Sequence, residues 1–315
     1  MVEHSVAATQ AVVTLDVALP GIIWGWIITV NMWAKSIGTG VVLVGAYLLY
    51  RHKKEDMPSL RWIVPTVSFV ALNIFLLFTL IDLHQPYRMI NIFLHPHWTS
   101  AITVGAWMAS LFTGLITVMM LIGVMDAFPD FRRHCAIGKV ARANSSLYEK
   151  VFPFVVFLAI PVTLYTAIIM AESSARELWQ APTEMMQMML AAFMAGASAL
   201  IFFSDSWSAS IRRDLAFVLA ISVAASFGMY MGEYFFSFKA AEAEATLEFV
   251  HSGGEYFGQF WTAMTIGYIL PFLLSISVIK KENTTILKVA AIAALIGLYM
   301  AKDVWLKIPQ LLPLS

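Results

Sequence analysis

The chain has 315 residues, 60% of them hydrophobic and 13% charged, with Lys and Arg balancing Asp and Glu at a net charge of zero. Soluble domains carry about 25% charged residues, so the composition excludes a soluble protein and points to a polytopic membrane protein. The lone cysteine, Cys135, excludes a disulfide framework and a cysteine-ligated zinc or iron–sulfur site within the chain. No phosphate loop, Ser-His-Asp pattern or nucleic-acid footprint is present.

Residues 1–18 have no basic n-region and no small-residue cleavage site, and are read as a retained tail. Eight segments then have the length and apolarity of membrane-spanning helices. They are Leu19–Tyr50, Trp62–Asp82, Trp98–Met125, Val151–Met170, Met185–Phe203, Leu215–Phe238, Phe257–Ile279 and Ile286–Met300. The first is too long to stand upright, so it tilts or begins with a turn, and Pro20 suits the start of its helix. The linkers are short, so 1–315 reads as one all-α membrane domain, helices 1–4 at about 19–170 and helices 5–8 at about 185–302.

Fourteen of the twenty Lys and Arg residues fall after helices 1, 3, 5 and 7 or just inside helix 8. Five lie on the other side, and Lys35 is inside helix 1. The basic side is expected to face the cytoplasm. Both termini and the linkers 80–107, 172–184 and 239–255 are then extracytoplasmic. On that outer side stand Asp82, His84, Arg88, His95, His97, Arg176, Glu177 and Trp179, with Glu233 at the end of helix 6. The basic linkers read as ordinary anchors.

Within helix 1, Trp24, Asn31, Lys35 and Gly38 share one helical face. An ammonium inside a bilayer costs at least a few kcal/mol unless it is paired or faces water. Lys35 is followed by about 15 further helical residues, over 20 Å at 1.5 Å per residue, too far to snorkel to the cytoplasmic side. The face is therefore expected to line an internal polar cavity. All seven histidines lie in tails or linkers, so no axial haem ligands face each other within the bundle. His95 and His97 read as surface loop residues. His84 follows Asp82 at the outer end of helix 2, where proton exchange and simple interfacial hydrogen bonding are both open. Asp82 and Arg88 flank Pro86 and read as a helix-end contact, with Asp82 also available to Lys35 or His84. Thr99 or Ser100 is positioned to cap helix 3. Tyr165, four residues after Pro161, needs a partner for its hydroxyl if buried. The methionines at 185, 186, 188 and 189 point in successive directions and read as packing and lipid-facing filler.

The stretch Asp82-Leu83-His84-Gln85-Pro86-Tyr87-Arg88, followed by Pro96, Ser100 and Gly105-Ala106-Trp107, resembles the signature of the NrfD/polysulfide-reductase membrane-subunit family. Weaker matches are Tyr165-Thr166, Arg176-Glu177-Leu178-Trp179 with Pro182, Ala195-Gly196 and Gly267 to Pro271. The resemblance covers most of the chain. It departs where Ala167 replaces a glycine and where helix 1 carries Asn-Met-Trp-Ala-Lys in place of small apolar residues.

The resemblance implies eight helices in two four-helix bundles, without haem or metal in this chain. It implies a menaquinone or ubiquinone near the outer face, exchanging electrons with a four-cluster iron–sulfur subunit. That partner would lead to a molybdopterin catalytic subunit or a cytochrome, in an anaerobic respiratory complex of a prokaryotic cytoplasmic membrane. Carried onto this sequence, Asn31, Lys35 and Tyr165 would hold the quinone and Asp82 with His84 would exchange protons. From the residues themselves, Arg88, Arg176 and Trp179 read as organising or docking the outer loops, and a proton path through Glu233 stays open. The rival readings are a transporter or channel with Lys35, Asp82 and Glu233 lining a path, and a tether that has lost its quinone.

Overall fold

The computed structural model describes residues 21–53, 57–128, 130, 138–140, 144–173, 176–236 and 241–312. Among them there are no strands, and eight helices are long and apolar enough to cross a membrane. They are α1 (Trp26–Arg51), α2 (Pro58–Asp82), α3 (Ala101–Ala127), α4 (Ser145–Ala171), α5 (Ala181–Ile201), α6 (Ala209–Phe236), α7 (Phe257–Lys280) and α8 (Thr284–Lys307).

The helix ends differ from the hydropathy reading for local reasons. Residues 21–25 are not helical and α1 begins at Trp26, so Pro20, itself outside the described residues, does not open it. Ser100 is the N-cap of α3, as its extended backbone requires, but its side chain makes no capping bond. The largest departure is α8, which runs past Met300 to Lys307 and continues as a 3-10 turn to Gln310. Two of its charges are paired inside the protein: Asp303 accepts from Thr29 Oγ1 and Gln259 Nε2, each at 2.9 Å, and pairs with Lys307 at 2.7 Å. A hydropathy scan stops at such residues because it prices each charge as unpaired.

α1 and α5 are the inner helices. Both are far more enclosed than the other six, whose outward apolar faces suit lipid. Their backbones meet at glycines: a Cβ on Gly40 would collide with the Ala192 carbonyl, and one on Gly196 with the Gly40 backbone. Such close approach is the usual device where helices lack a hydrophobic drive to associate. α1 also packs on α2, α4 and α8, and α5 on α4, α6 and α8. α2 packs on α3, α3 on α4, α6 on α7 and α7 on α8.

The start of α1 and the end of α8 meet at one end of the molecule, the termini end. There Gln310 Oε1 accepts from the backbone N–H of Ile23 and Trp24, and Gln310 Nε2 donates to the Trp24 carbonyl. The opposite end is laced by ion pairs, so the basic residues there do more than anchor. Arg61 bonds Asp126 at 3.2 Å, reaches Glu149 and lies over the Tyr148 ring. Arg212 binds Glu282, Lys288 pairs with Asp205 at 2.6 Å, and His52 meets Asp214 at 2.9 Å. Acids from one linker meet bases from another, which fastens helix ends across the bundle.

Candidate functional site

Lys35 is fully enclosed, with 0% of its surface exposed. Its place nine residues into α1 sets it roughly 14 Å below the helix start. Its ammonium is held by α4: Nζ donates to the Thr163 carbonyl at 3.1 Å and to Thr166 Oγ1, and lies 4.8 Å from the centre of the Tyr165 ring. A carbonyl, a hydroxyl and an aromatic face are all neutral. They stabilise a cation through dipoles and the ring quadrupole. Thr166 and Tyr165 are half-buried, so the lysine's partners reach the surface although the lysine does not. Gly105 of α3 makes room for this arrangement, because a Cβ there would run into the Tyr165 ring. The glycine of the Gly-Ala-Trp motif thus has a packing reason.

Asn31, one turn nearer the termini end, is buried and turned toward α2. Its Nδ2 donates to the Phe75 carbonyl at 2.8 Å and to Thr79 Oγ1 at 2.6 Å. The face predicted from spacing therefore divides between neighbours. Asn31 and Gly38 meet α2, where Ser68 Oγ donates to the Gly38 carbonyl at 2.7 Å. Lys35 meets α4, and Trp24 stacks on Trp179 at 5.5 Å. Lys35 and Tyr165 are brought together; Asn31 is adjacent to them along α1 but committed to α2.

Asp82 is the last residue of α2 and His84 lies just beyond it, exposed at the termini end. They are electrostatic neighbours. Asp82 is not among the partners of Lys35, and the expected Asp82–Arg88 contact does not form among the described residues. The 3-10 turn Pro86–Ile90 carries Arg88 outward into exposure. His95 and His97 are exposed. Among the described residues no group of three or more His, Cys, Asp or Glu is placed to hold a metal ion.

Arg176 and Trp179 are buried and structural in their contacts. Arg176 donates to the Leu312 carbonyl at 2.7 Å and lies 3.7 Å from Glu242. Trp179 Nε1 donates to the Trp305 carbonyl at 3.3 Å. Glu177 and Glu242 each accept from the other's backbone N–H. Burial pushes the Glu242 carboxyl up from its ordinary value, against the lowering effects of the Glu177 backbone and Arg176.

The sequence reading missed a second buried cation. Lys302 of α8 is 5% exposed, and its Nζ donates to Met188 Sδ at 3.3 Å. Met188 is therefore not mere filler. Glu184, assigned from sequence to a linker, lies in the first turn of α5 and is 2% exposed. Glu233 stands beside Thr183 and within electrostatic reach of Glu184. Two signals were available: Pro182 at the first turn of α5, a helix-start position, and Leu298, Ala301, Lys302 and Trp305 on one face of α8.

No curated protein matches the chain. A family model described as "Polysulphide reductase, NrfD" matches residues 17–310, nearly the whole chain. With eight apolar helices and the Asp82–Trp107 signature on them, the chain belongs to the polysulphide reductase NrfD family.

Proposed function

We propose that this protein is the quinone-reactive membrane anchor of a multisubunit respiratory oxidoreductase, exchanging electrons with an iron–sulfur partner at the termini end. Family membership supports the reading, because such membrane subunits work beside iron–sulfur and molybdopterin chains. The neighbour relations of α1–α4 and of α5–α8 favour two four-helix bundles, and the Lys and Arg asymmetry favours extracytoplasmic termini in a prokaryotic cytoplasmic membrane. A four-cluster iron–sulfur subunit, with a molybdopterin or cytochrome partner beyond it, would hold the redox centres.

One observation carries the site assignment: Lys35 is a buried lysine whose partners are all neutral. Burying an uncompensated charge is costly, and a ligand oxygen that gains negative charge would offset that cost. An ammonium has three N–H donors; two are spent on Thr163 and Thr166, which leaves one. The donor set therefore fits a quinone carbonyl, either menaquinone or ubiquinone. When bound, the quinone accepts or gives two electrons and two protons. Lys35 would hold its oxygen, Tyr165 would orient the ring and keep the ammonium in place, and Asn31 would fix α1 against α2. Asp82 lies about one turn beyond Thr79 on α2, Thr79 is bonded to Asn31, and Asn31 lies about one turn from Lys35 on α1; Asp82 with His84 would pass protons to water. Arg88 would face the docking partner, while Arg176 and Trp179 hold the surrounding loops.

The test is quinol-linked reduction by the complex purified with its partners. Lys35→Ala is expected to raise the quinol KM and lower kcat, and Asn31→Ala to weaken binding less. Unchanged quinone kinetics in both variants would overturn the assignment.

A further inference from the structure

A second polar site lies between α5, α6 and α8. A cavity of about 10 Å³ is lined by Glu184, Gln187, Tyr230, Lys302 and Trp305, with Met188 among its apolar walls. Its polar groups are poorly matched. Glu184 Oε1 and Trp305 Nε1 lie near each other without a well-formed bond, and the Lys302 ammonium donates to a thioether, a weak acceptor. Tyr268 Oη, behind Tyr230, is also without a well-formed bond, although Tyr230 and Ser226 lie near it. Buried polar atoms are almost always paired, and an orphaned cluster calls for a bound partner. A space of roughly 10–15 Å³ with two to four polar groups is what one water requires.

The surrounding backbone is also unusual. Tyr268 stands in a π-helical turn, Ala263–Ile269, within α7. Such turns recur at functional sites. Here Gly267 presses against Gly297 of α8.

We propose that Glu184 and Lys302, with Tyr230 and Trp305, form a buried protonation site that holds one ordered water between the carboxyl and the ammonium. The water accepts from Lys302 and Trp305 and donates to Glu184 Oε1. A proton delivered to the water passes to Oε1, forming the carboxylic acid and leaving the water neutral. The charged and titratable groups facing Glu184 are Lys302 on α8, Tyr230 and Glu233 on α6, and, beyond Lys302, Lys35 on α1. Tyr268 on α7 backs Tyr230. Glu233 is half-buried near the termini end of α6 and provides the step to water. The site goes beyond quinone chemistry, because its groups are distinct from those that hold Lys35.

Infrared difference spectroscopy tests the proposal on the full chain with its partners in lipid nanodiscs. Stepping the pH is expected to reveal a carboxyl C=O band that shifts in D2O and disappears in Glu184→Gln. Lys302→Met, which removes the facing cation, is expected to raise the midpoint of that band by about one pH unit or more. If Glu184→Gln fails to assemble, the Lys302→Met shift and density for a water beside Glu184 in a high-resolution structure decide the matter. Absence of any titrating carboxyl band, an unmoved midpoint in Lys302→Met, or a dry cavity would each overturn the proposal.

Discussion

Two buried lysines divide this protein, and their surroundings are opposites. Lys35 is solvated by neutral dipoles and an aromatic face from α4. Lys302 has a thioether and, across a small cavity, a carboxyl. A lysine held only by neutral groups has no opposite charge beside it, so a ligand that gains negative charge would find it uncommitted. A cation set near a carboxyl shares its charge with a group that can change its own. Lys302 lies within electrostatic range of Lys35 across the α1–α8 contact, so a change of charge at one would be felt at the other.

The largest effect should come from breaking the second arrangement. Glu184→Ala leaves Lys302 without its facing carboxyl, and removing one member of a buried pair costs about 3–5 kcal/mol. Thermal unfolding of the purified complex should show a clear loss, recovered in part by adding Lys302→Met. Equal instability of the single and double variants would refute the partnership. Next is Lys35→Met, which removes a charge-assisted donor worth about 1.5–3 kcal/mol. Quinol-linked kcat/KM should fall roughly ten- to a hundredfold at that size, while the Glu184 carboxyl band persists.

Gly105→Ala should act more gently on the first site alone. The added methyl displaces the Tyr165 ring beneath Lys35, and steady-state kinetics should show a loss of about threefold to tenfold, or 0.7–1.4 kcal/mol. Asn31→Ala cuts two bonds from α1 to α2 and should cost about 1–2 kcal/mol of stability, read from melting of the complex. The smallest effect belongs to the loop clasp at the termini end. Burial raises the Glu242 carboxyl in the folded protein, so the folded state holds that proton more tightly than the unfolded chain. Its contribution to stability is full below the ordinary glutamate range and declines as pH rises through the raised value. Glu242→Gln should flatten that slope in a pH series of melting curves and leave both lysine sites untouched.

The contrast also shows what the sequence could convey. All eight long helices were legible, because each contains an apolar run that no other structure explains. Lys35 was legible because it interrupts such a run. Lys302 was not, because it follows Met300 in a cluster with Asp303 and Lys307 that looks like a solvated helix end. The burial of this cluster depends on partners distant in sequence: Thr29 and Gln259 donate to Asp303, and Met188 accepts from Lys302. Tyr165 stands out by its type and family position; its ring contact with Lys35 and the opening left by Gly105 depend on how α1, α3 and α4 pack. The Asp82–Arg88 contact failed because the turn after Pro86 points Arg88 away, a matter of backbone direction that spacing does not encode.

The π turn in α7 can be restated as an arithmetic surplus. Ala263–Ile269 accommodates one residue more than an α-helix of the same span would hold. Deleting a single residue there would be expected to restore ordinary winding while the segments on either side keep their faces, because the surplus residue is absorbed within the turn. Gly267 and Tyr268 lie inside the wide turn, so loss of Thr265 would alter their own meeting with Gly297 and Tyr230 while the helix on either side stays in register. One surplus residue, absorbed within a membrane helix, thus sets how Tyr268 backs the Tyr230 ring of the second buried site.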